Sequence, residues 1–558
     1  MNSLTPETTA APVAAQAHPH CIAEAKGIPG SVEEMRQAAA AIIADEQTKF
    51  NKPTLPMVQV NDRQLRSTTT EAVAALHEAN NPPEIFVRMG ELVRIQADED
   101  GRPIIKELSE AGVRYYLSQA ADFVNKTQKG SIKVSPPRDL VQNVMAAPYW
   151  PFPALKGIVE VPVLRPDGSI LATPGYDPAT KLYYRPVPGL ECPLIPLHPT
   201  QDEAKKAAQF INDELLHGFP FVDNASRANA LAALITPIVR HAIPGRVPAG
   251  INTATKAGTG KTMMQEMIGA ISTGRWTPMY NPPIQRDNDA EWSKVITAAL
   301  LNGSTIVCFD NVDGLLQSPS LSSAITTKVY RGRILGLSKI VDIPVNVSWF
   351  INGNNVRLGG DMPRRCYWIR LDAKMSRPWE RKCFKHKDLG AWVMENQGQL
   401  ITALLTMARA WYIAGCPKPN TPKLGSFESW CDTVGGILQF AGITDFLGNQ
   451  EKMYELSDVE GQEWEMFLLA WQERYGDAVV LVKELVDEIQ KEGGSVIKDT
   501  LPSDLAGALT KKGGSLSRTL GWALPKREGA LFGDSGVHLV RVPKADPQTK
   551  ANGWKVLN

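Results

Sequence analysis

A chain of 558 residues is long enough for three or four domains, each burying its own core. Lys plus Arg number 60 against 59 for Asp plus Glu, so any contact with nucleic acid must come from local patches and not from global charge. The seven cysteines (Cys21, Cys192, Cys308, Cys366, Cys383, Cys416 and Cys431) are scattered without paired spacing, which makes a reduced compartment and no zinc site the default.

Residues 1–50 are rich in Ala, Thr, Pro and Glu and carry no strand pattern, so a disordered tail with one helix over 31–45 is expected. Residues 51–200 read as an α+β module. Glu84–Arg88 and Glu91–Ile95 look like short paired strands, Asp98-Glu99-Asp100-Gly101 like an acidic turn, and 109–124 like a helix. Proline-rich connections follow around 148–151 and 186–199. The acidic run reads as a solvated turn, because a metal site for polymerase chemistry would need further partnered carboxylates or histidines.

From 201 to 375 strands and helices alternate, as in a parallel nucleotide-binding sheet. The most apolar helix candidate, 228–239, is bracketed by Arg227 and Arg240 and is too short to cross a bilayer, and no basic segment followed by an apolar run opens the chain. A soluble cytoplasmic protein with no membrane partner is the expectation. Gly250–Ala254 reads as a strand, and Ala257-Gly258-Thr259-Gly260-Lys261-Thr262 then opens a helix through Met263, Met264, Met267 and Ile268. Glycines there let backbone N–H groups close around phosphate oxygens and the helix N-terminus adds its positive end. Lys261 reaches the outer phosphates, and Thr262 offers its hydroxyl to Mg²⁺. One departure is Thr255, where such loops begin with glycine.

About forty residues further, 304–309 reads as a buried strand ending in Asp310-Asn311. A carboxylate at that place can hold Mg²⁺ opposite Thr262. A helix over 320–330 follows, then a hairpin around 336–339 with Lys339 near its tip, a strand over 345–351 ending in Asn352-Gly353-Asn354-Asn355, the segment Asp361-Met362-Pro363-Arg364-Arg365, and a strand over 366–371. Residues 376–476 look helical, with Trp392, Trp411, Trp464 and Trp471 at core spacing. Residues 477–558 suggest a small α+β unit with helices near 481–491 and 502–511 and strands near 537–542 and 553–557. From Lys498 onward ten Lys plus Arg face five Asp plus Glu, a local net charge of +5.

Phosphate loop, acidic strand end, hairpin, Asn-bearing strand and paired arginines, in that order, resemble the AAA+ ATPases with a hairpin before sensor 1. Within them the chain is most similar to replicative helicases of phages and integrative elements, related to the MCM and superfamily 3 helicases. The segments 173–184 and Gly425–Trp430 also look like those proteins. The resemblance implies a multidomain chain: a central α/β AAA+ (P-loop) ATPase core over 201–375, an α+β N-terminal module over 51–200, a helical region over 376–476 and a winged-helix-like C-terminal module over 477–558.

It further implies ATP and Mg²⁺ as cofactors, held by Gly258, Thr259, Gly260, Lys261 and Thr262 with Asp310 as the second metal residue. Asn354, or else Asn352, would orient the attacking water. Arg364 or Arg365 would act on a neighbour's ATP, and Lys339 would touch DNA. Asn311 stands where many relatives have the catalytic Glu, so Asp313 or Asn311 itself would have to substitute, and weak basal hydrolysis is expected. Each of these residues also has a plain reading: the arginines as surface charges, 352–355 as turn formers, Lys339 as a solvated edge lysine. Their shared order along the chain favours the functional one. The expected activity is that of a ring-forming, homo-hexameric DNA helicase on single-stranded or forked DNA, serving replication of a phage or mobile element in a bacterial host, with a separate primase or initiator. The competing expectation is an AAA+ loader or initiator that binds DNA under ATP control without translocating.

Overall fold

The computed structural model describes residues 55–283, 289–334, 339–382, 384–491, 495–510, 515–533 and 535–558; the tail 1–50 with its expected helix, the hairpin residues 336–338, Cys21 and Cys383 lie outside the described residues. The chain is a multidomain α/β protein with parallel, antiparallel and mixed sheets and many helices. Residues 55–79 and 110–148 make one compact unit, and 80–109 with 149–558 make another.

In the first unit, Met57–Gln59 pairs in parallel with Asp122–Thr127, which pairs antiparallel with Gly130–Val134. The helices Leu65–Ala79, Glu110–Ala120 and Arg138–Met145 pack together through Leu76, Leu117, Val141 and Val144. The helix expected over 109–124 ends at Ala120, because Phe123 and Val124 are buried in a strand instead. β-branched and aromatic side chains fit that pleated surface well.

In the second unit, Ile85–Arg88 and Glu91–Ala97 form an antiparallel hairpin. Its two turn residues, Met89 (φ 53°) and Gly90 (φ 82°), both have positive φ, as a two-residue turn matched to strand twist requires. Downstream stands the sheet that organises the unit. Its elements are α1 (Asn224–Val239), β1 (Ala249–Ala254), α2 (Lys261–Thr273), β2 (Met279–Tyr280), α3 (Asp289–Leu301), β3 (Ile306–Leu316), α4 (Pro319–Thr326), β4 (Val329–Arg333), β5 (Ile340–Pro344), β6 (Ser348–Leu358) and β7 (Cys366–Leu371). Five of the strands lie in the order β2-β3-β6-β1-β7, and every pair is parallel. β1 is buried along its whole length, and Ile306–Phe309 of β3 likewise, because helices cover both faces.

β4 and β5 form a separate antiparallel hairpin between α4 and β6. The helix expected over 320–330 therefore stops at Thr326, and Val329-Tyr330 already belongs to the hairpin. The strand endings expected at Phe309 and Ile351 also move: both strands continue past their polar residues, β3 to Leu316 and β6 to Leu358. They do so around a bulge, where the register slips between Phe309 and Val312.

α5 (Leu389–Glu395) and α6 (Gln397–Ile413) open the region expected to be helical, and the buried side chains of α6 join the same continuous core as the sheet. A second core begins at Trp464. It is built by α7 (Val459–Tyr475), β8 (Val480–Leu481), α8 (Val482–Ile489), α9 (Ser503–Thr510), α10 (Leu516–Lys526), β9 (Leu531–Phe532), β10 (Val537–Val542) and β11 (Gly553–Leu557), with the sheet ordered β8-β11-β10-β9. The sequence reading lacks α10. No described helix is long and apolar enough to cross a membrane.

The bulge in β3 leans on Gly353 of β6, where a Cβ would overlap the Val312 carbonyl oxygen and the Val356 side chain. Gly353→Ala is therefore expected to destabilise the protein by about 2 kcal/mol or more through backbone displacement. Thermal denaturation checks this, and an unchanged melting temperature would show that the bulge yields freely.

Candidate functional site

The loop after β1 turns through Gly258 (φ 75°) and Gly260 (φ 99°), a left-handed backbone that side chains rarely adopt. Gly260 caps α2, and the Asn252 side-chain amide donates to the Lys261 carbonyl at 2.9 Å, pinning the helix start to β1. The Lys261 side chain folds back under the loop, and the residue is only 8% exposed. Its Nζ donates to Asn354 Oδ1 at 2.8 Å and lies 3.4 Å from both the Lys256 carbonyl oxygen and Thr259 Oγ1. Burial pushes the Lys261 ammonium below its ordinary value, and the charge of Asp310 pulls part of the way back. Among the described residues Lys261 has neutral oxygens as its hydrogen-bond partners and a carboxylate only at longer range. A buried cation so placed carries an uncompensated charge, which an anion at the loop would stabilise. Thr262, next in line, is exposed.

Asp310 sits at the bulge of β3. Asn311 takes a left-handed backbone (φ 60°), and its N–H donates to Asp310 Oδ1 at 2.9 Å, which fixes the carboxylate at the strand's turning point. Bulges of this kind re-aim side chains beside functional sites. Glu266 on α2 shares this field: burial pushes its carboxyl up from the usual range, and Asp310 pushes it the same way. The sequence reading missed Glu266, although its place four residues after Thr262 puts both on one helix face.

The two asparagines of β6 separate in role. Asn354 is the acceptor for Lys261, while Asn352 is fully buried and neither atom of its amide meets a partner among the described residues. Asn252 stands in register beside Asn352, and its Oδ1 is likewise unmatched, as is Nε2 of buried Gln265 on α2. A small buried layer of amides thus lies between sheet and loop. Unmatched buried amides are costly and concentrate where function requires them.

The other expected residues lie apart. Arg364 and Arg365 occupy the turn before β7 and share Asp361, but Arg364 has 67% of its side chain exposed and Arg365 only 15%. Arg365 also donates to the Ser322 carbonyl and, at 3.0 Å, to Thr326 Oγ1, so it is tied to α4. The six-residue strand β7 runs from this turn to Leu371, which pairs with Ala254 at the start of the loop. That is about 20 Å of strand, beyond the reach of one side chain. Asp313 lines a cavity of about 580 Å³ with Thr253, Arg357 and Arg370. Lys339, at the foot of β5, forms an exposed ion pair with Glu91 at 2.7 Å.

A cavity of about 340 Å³ opens beside Gly258, Thr259 and Gly260, with Phe219, Trp379 and Phe384 among its walls. Three of its polar side chains are engaged elsewhere, while Lys387 also lines it. Arg381 donates to the Gly218 carbonyl at 2.7 Å, His386 Nε2 lies 3.0 Å from the Glu214 carbonyl oxygen, and Asp388 accepts from the Ala391 N–H at 2.9 Å. The slot therefore offers aromatic walls beside the loop that holds Lys261.

No family model matches this chain, and a search of curated proteins returns no match. Among solved structures it is similar to the apo A form of the NrS-1 C-terminal region, at 15% identity over 76% of this chain and 92% of that one, with a TM-score of 0.35. It is also similar to SCCmec type IV Cch, titled an active helicase, at 11% identity over 84% and 91% of the two chains, with a TM-score of 0.31. Likeness at that level leaves the functional argument with the residues above.

The raised Glu266 carboxyl has a stability consequence. A carboxyl whose folded-state value lies above its ordinary one favours the fold at low pH, and that contribution is lost as pH rises through the folded value. Glu266→Gln should accordingly raise the melting temperature of nucleotide-free protein more at pH 8 than at pH 4. A difference independent of pH would count against the strained carboxyl.

Proposed function

We propose that this chain is an AAA+-type ATPase acting as a ring-forming DNA helicase in replication of a phage or mobile element, with its ATPase core within 201–375. The observation that carries the reading is the convergence of buried Lys261, just after β1, with Asn354 inside β6, which accepts from it, and Asp310 at the bulge of β3, whose charge it feels. Strand order reverses between β1 and β6, and open parallel sheets bind ligands in the crevice at such a switch point.

ATP and Mg²⁺ fit the residues present. The loop N–H groups and Lys261 would hold the outer phosphates, Thr262 and Asp310 would hold the metal, and the aromatic slot would take the base. Bound Mg²⁺ neutralises charge spreading over the transferred phosphoryl group. Asn354 now accepts from Lys261; with phosphate taking over the lysine, its amide would be free to orient water, and Asn352 is the other candidate for that role. Arg364 cannot reach its own site along β7 and would serve a neighbour's, which requires a heterologous ring, most simply a hexamer. The C-terminal helices around a small antiparallel sheet, closed by the β10–β11 hairpin, support the winged-helix-like reading. Asn311 in place of a catalytic Glu favours the second reading, an ATP-switched loader or initiator.

Lys261→Ala and Asp310→Ala should abolish ATP hydrolysis while the protein still melts cooperatively. Arg364→Ala should bind nucleotide yet lose about 10³-fold or more in kcat with an unchanged melting temperature. Arg365→Ala should instead lose about 1–3 kcal/mol of stability, because it leaves acceptors on α4 unmatched. A protein that hydrolyses ATP fully while monomeric by light scattering would overturn the ring.

Strand displacement on forked DNA of both polarities separates helicase from loader. Lys339→Ala should leave DNA-independent hydrolysis nearly unchanged and cut unwinding severely, since a channel lysine holds phosphate as a compact charge. ATP-dependent DNA binding by the parent without unwinding of either fork would establish the loader.

A further inference from the structure

We infer that this chain is built to contact a second copy of itself, with Leu194 and Leu197 of one copy entering a cleft lined by Leu315, Tyr454 and Leu456 on the next. Residues 190–199 form neither helix nor strand and include Pro193, Pro196 and Pro199. This strap lies along α6 and is held there by its own backbone. Thr402 Oγ1 donates to the Pro193 carbonyl at 3.1 Å, and Arg409 Nε donates to the Leu197 carbonyl at 2.9 Å. A Cβ on Gly398 would overlap the Glu191 carbonyl oxygen. Gly398, Thr402 and Arg409 are spaced to share one face of α6.

The strap's side chains follow a three-residue period, as along a polyproline helix. Cys192 and Ile195 pack against the core, while Leu194 is 94% exposed and Leu197 68%. Leucines scattered singly over a surface are ordinary. A pair turned outward on one edge, pinned through its own carbonyls and stiffened by proline, is instead an apolar anchor organised before it binds.

The complement lies elsewhere on the same chain. A cleft of about 900 Å³ exposes Leu315 of β3 with Tyr454 and Leu456 of the helix Gln450–Ser457. Its acids are engaged at home: Asp458 accepts from the Gly461 N–H at 3.1 Å, Glu463 accepts from the Ser503 N–H at 2.8 Å, and Arg527 pairs with both Glu460 and Asp504. Arg357 also lines the cleft, is exposed and joins no ion pair among the described residues. Glu191, three residues before Leu194, is likewise exposed and without an ion pair among them. An apolar anchor with an acid beside it thus matches an apolar cleft with a base beside it. Since one chain carries both halves and its own leucines stay in solvent, a second copy completes the contact, and two different surfaces joined in this way generate a ring or a filament. The choice of a ring rests on the reading proposed above: Val187, where the strap begins, packs on Gly274 at the end of the helix that Lys261 starts, and Pro363, beside Arg364, lines the cleft.

The test is sedimentation velocity of the full chain, with and without Mg²⁺ and a non-hydrolysable ATP analogue. The parent should associate. The paired substitution Leu194→Asp with Leu197→Asp and, separately, Leu456→Asp should sediment as monomers, and both should keep the parent's melting temperature because these side chains are exposed. An equimolar mixture of the strap variant and the cleft variant should give a species of two chains and nothing larger, since each supplies the half that the other lacks. Glu191→Arg and Arg357→Glu should each weaken association about tenfold, and both exchanges in one chain should recover most of the loss. Strap variants that assemble as the parent does would overturn the contact and give the leucines to a different protein, with the ring left standing. A mixture that stays monomeric would overturn it as well, and a parent that is monomeric throughout would overturn both the contact and the ring.

Discussion

A lysine ammonium taken out of water without an anion is the constraint on which the centre of this protein depends. Lys261 is held by an amide oxygen of β6 and, more loosely, by two oxygens of its own loop. The loop must therefore curl tightly enough to present those oxygens, which its left-handed glycines allow, and β6 must run on past Asn352 to bring Asn354 into range. The helix that starts at Lys261 must not shift, and the Asn252 amide prevents it. An interaction that costs solvation is tolerated here because the surrounding core is large and continuous.

The same logic accounts for polar residues inside an otherwise apolar sheet. Asn252 and Asn352 would each be replaced at little loss by apolar residues if packing alone governed the strands. They sit beside one another with unmatched atoms, within a few residues of the loop and the bulge. Local rules are broken where a site must be polar, and neighbouring apolar strands absorb the penalty.

Much of this was legible in the sequence. The glycine pattern before Lys261 and the apolar runs at 304–309 and 366–371 follow from loop chemistry and local periodicity, whereas the order of Asp310, the hairpin, Asn354 and the arginines drew its meaning from a family resemblance. What escaped was non-local. Asp310 and Asn352–Asn355 read as strand ends because polar residues usually close a strand, whereas pairing between β3 and β6 carries both strands past them. Val329-Tyr330 read as helix until hairpin pairing to Ile343-Pro344 claimed it. Glu266 was invisible as a site residue because only the fold brings the charge of Asp310 to bear on it, and α10 was missed because its apolar residues become a stripe only against the C-terminal core.

The two arginines before β7 show how one turn can serve two ends. Arg365 is spent on the fold: it holds Asp361 and the last turn of α4, and the next residues after α4 enter the hairpin at Val329. Arg364 shares the same Asp361 but faces outward. An anion that drew Arg364 away would leave the Asp361 charge to Arg365 alone and tighten the link to α4. Under the proposed ring that anion would be a neighbour's phosphate, and the element beyond α4 is the hairpin that carries Lys339 near its tip. Under the proposed ring, hydrolysis in one subunit and the grip of the next would be joined by three side chains and one short helix, the kind of packed link along which a displacement can pass.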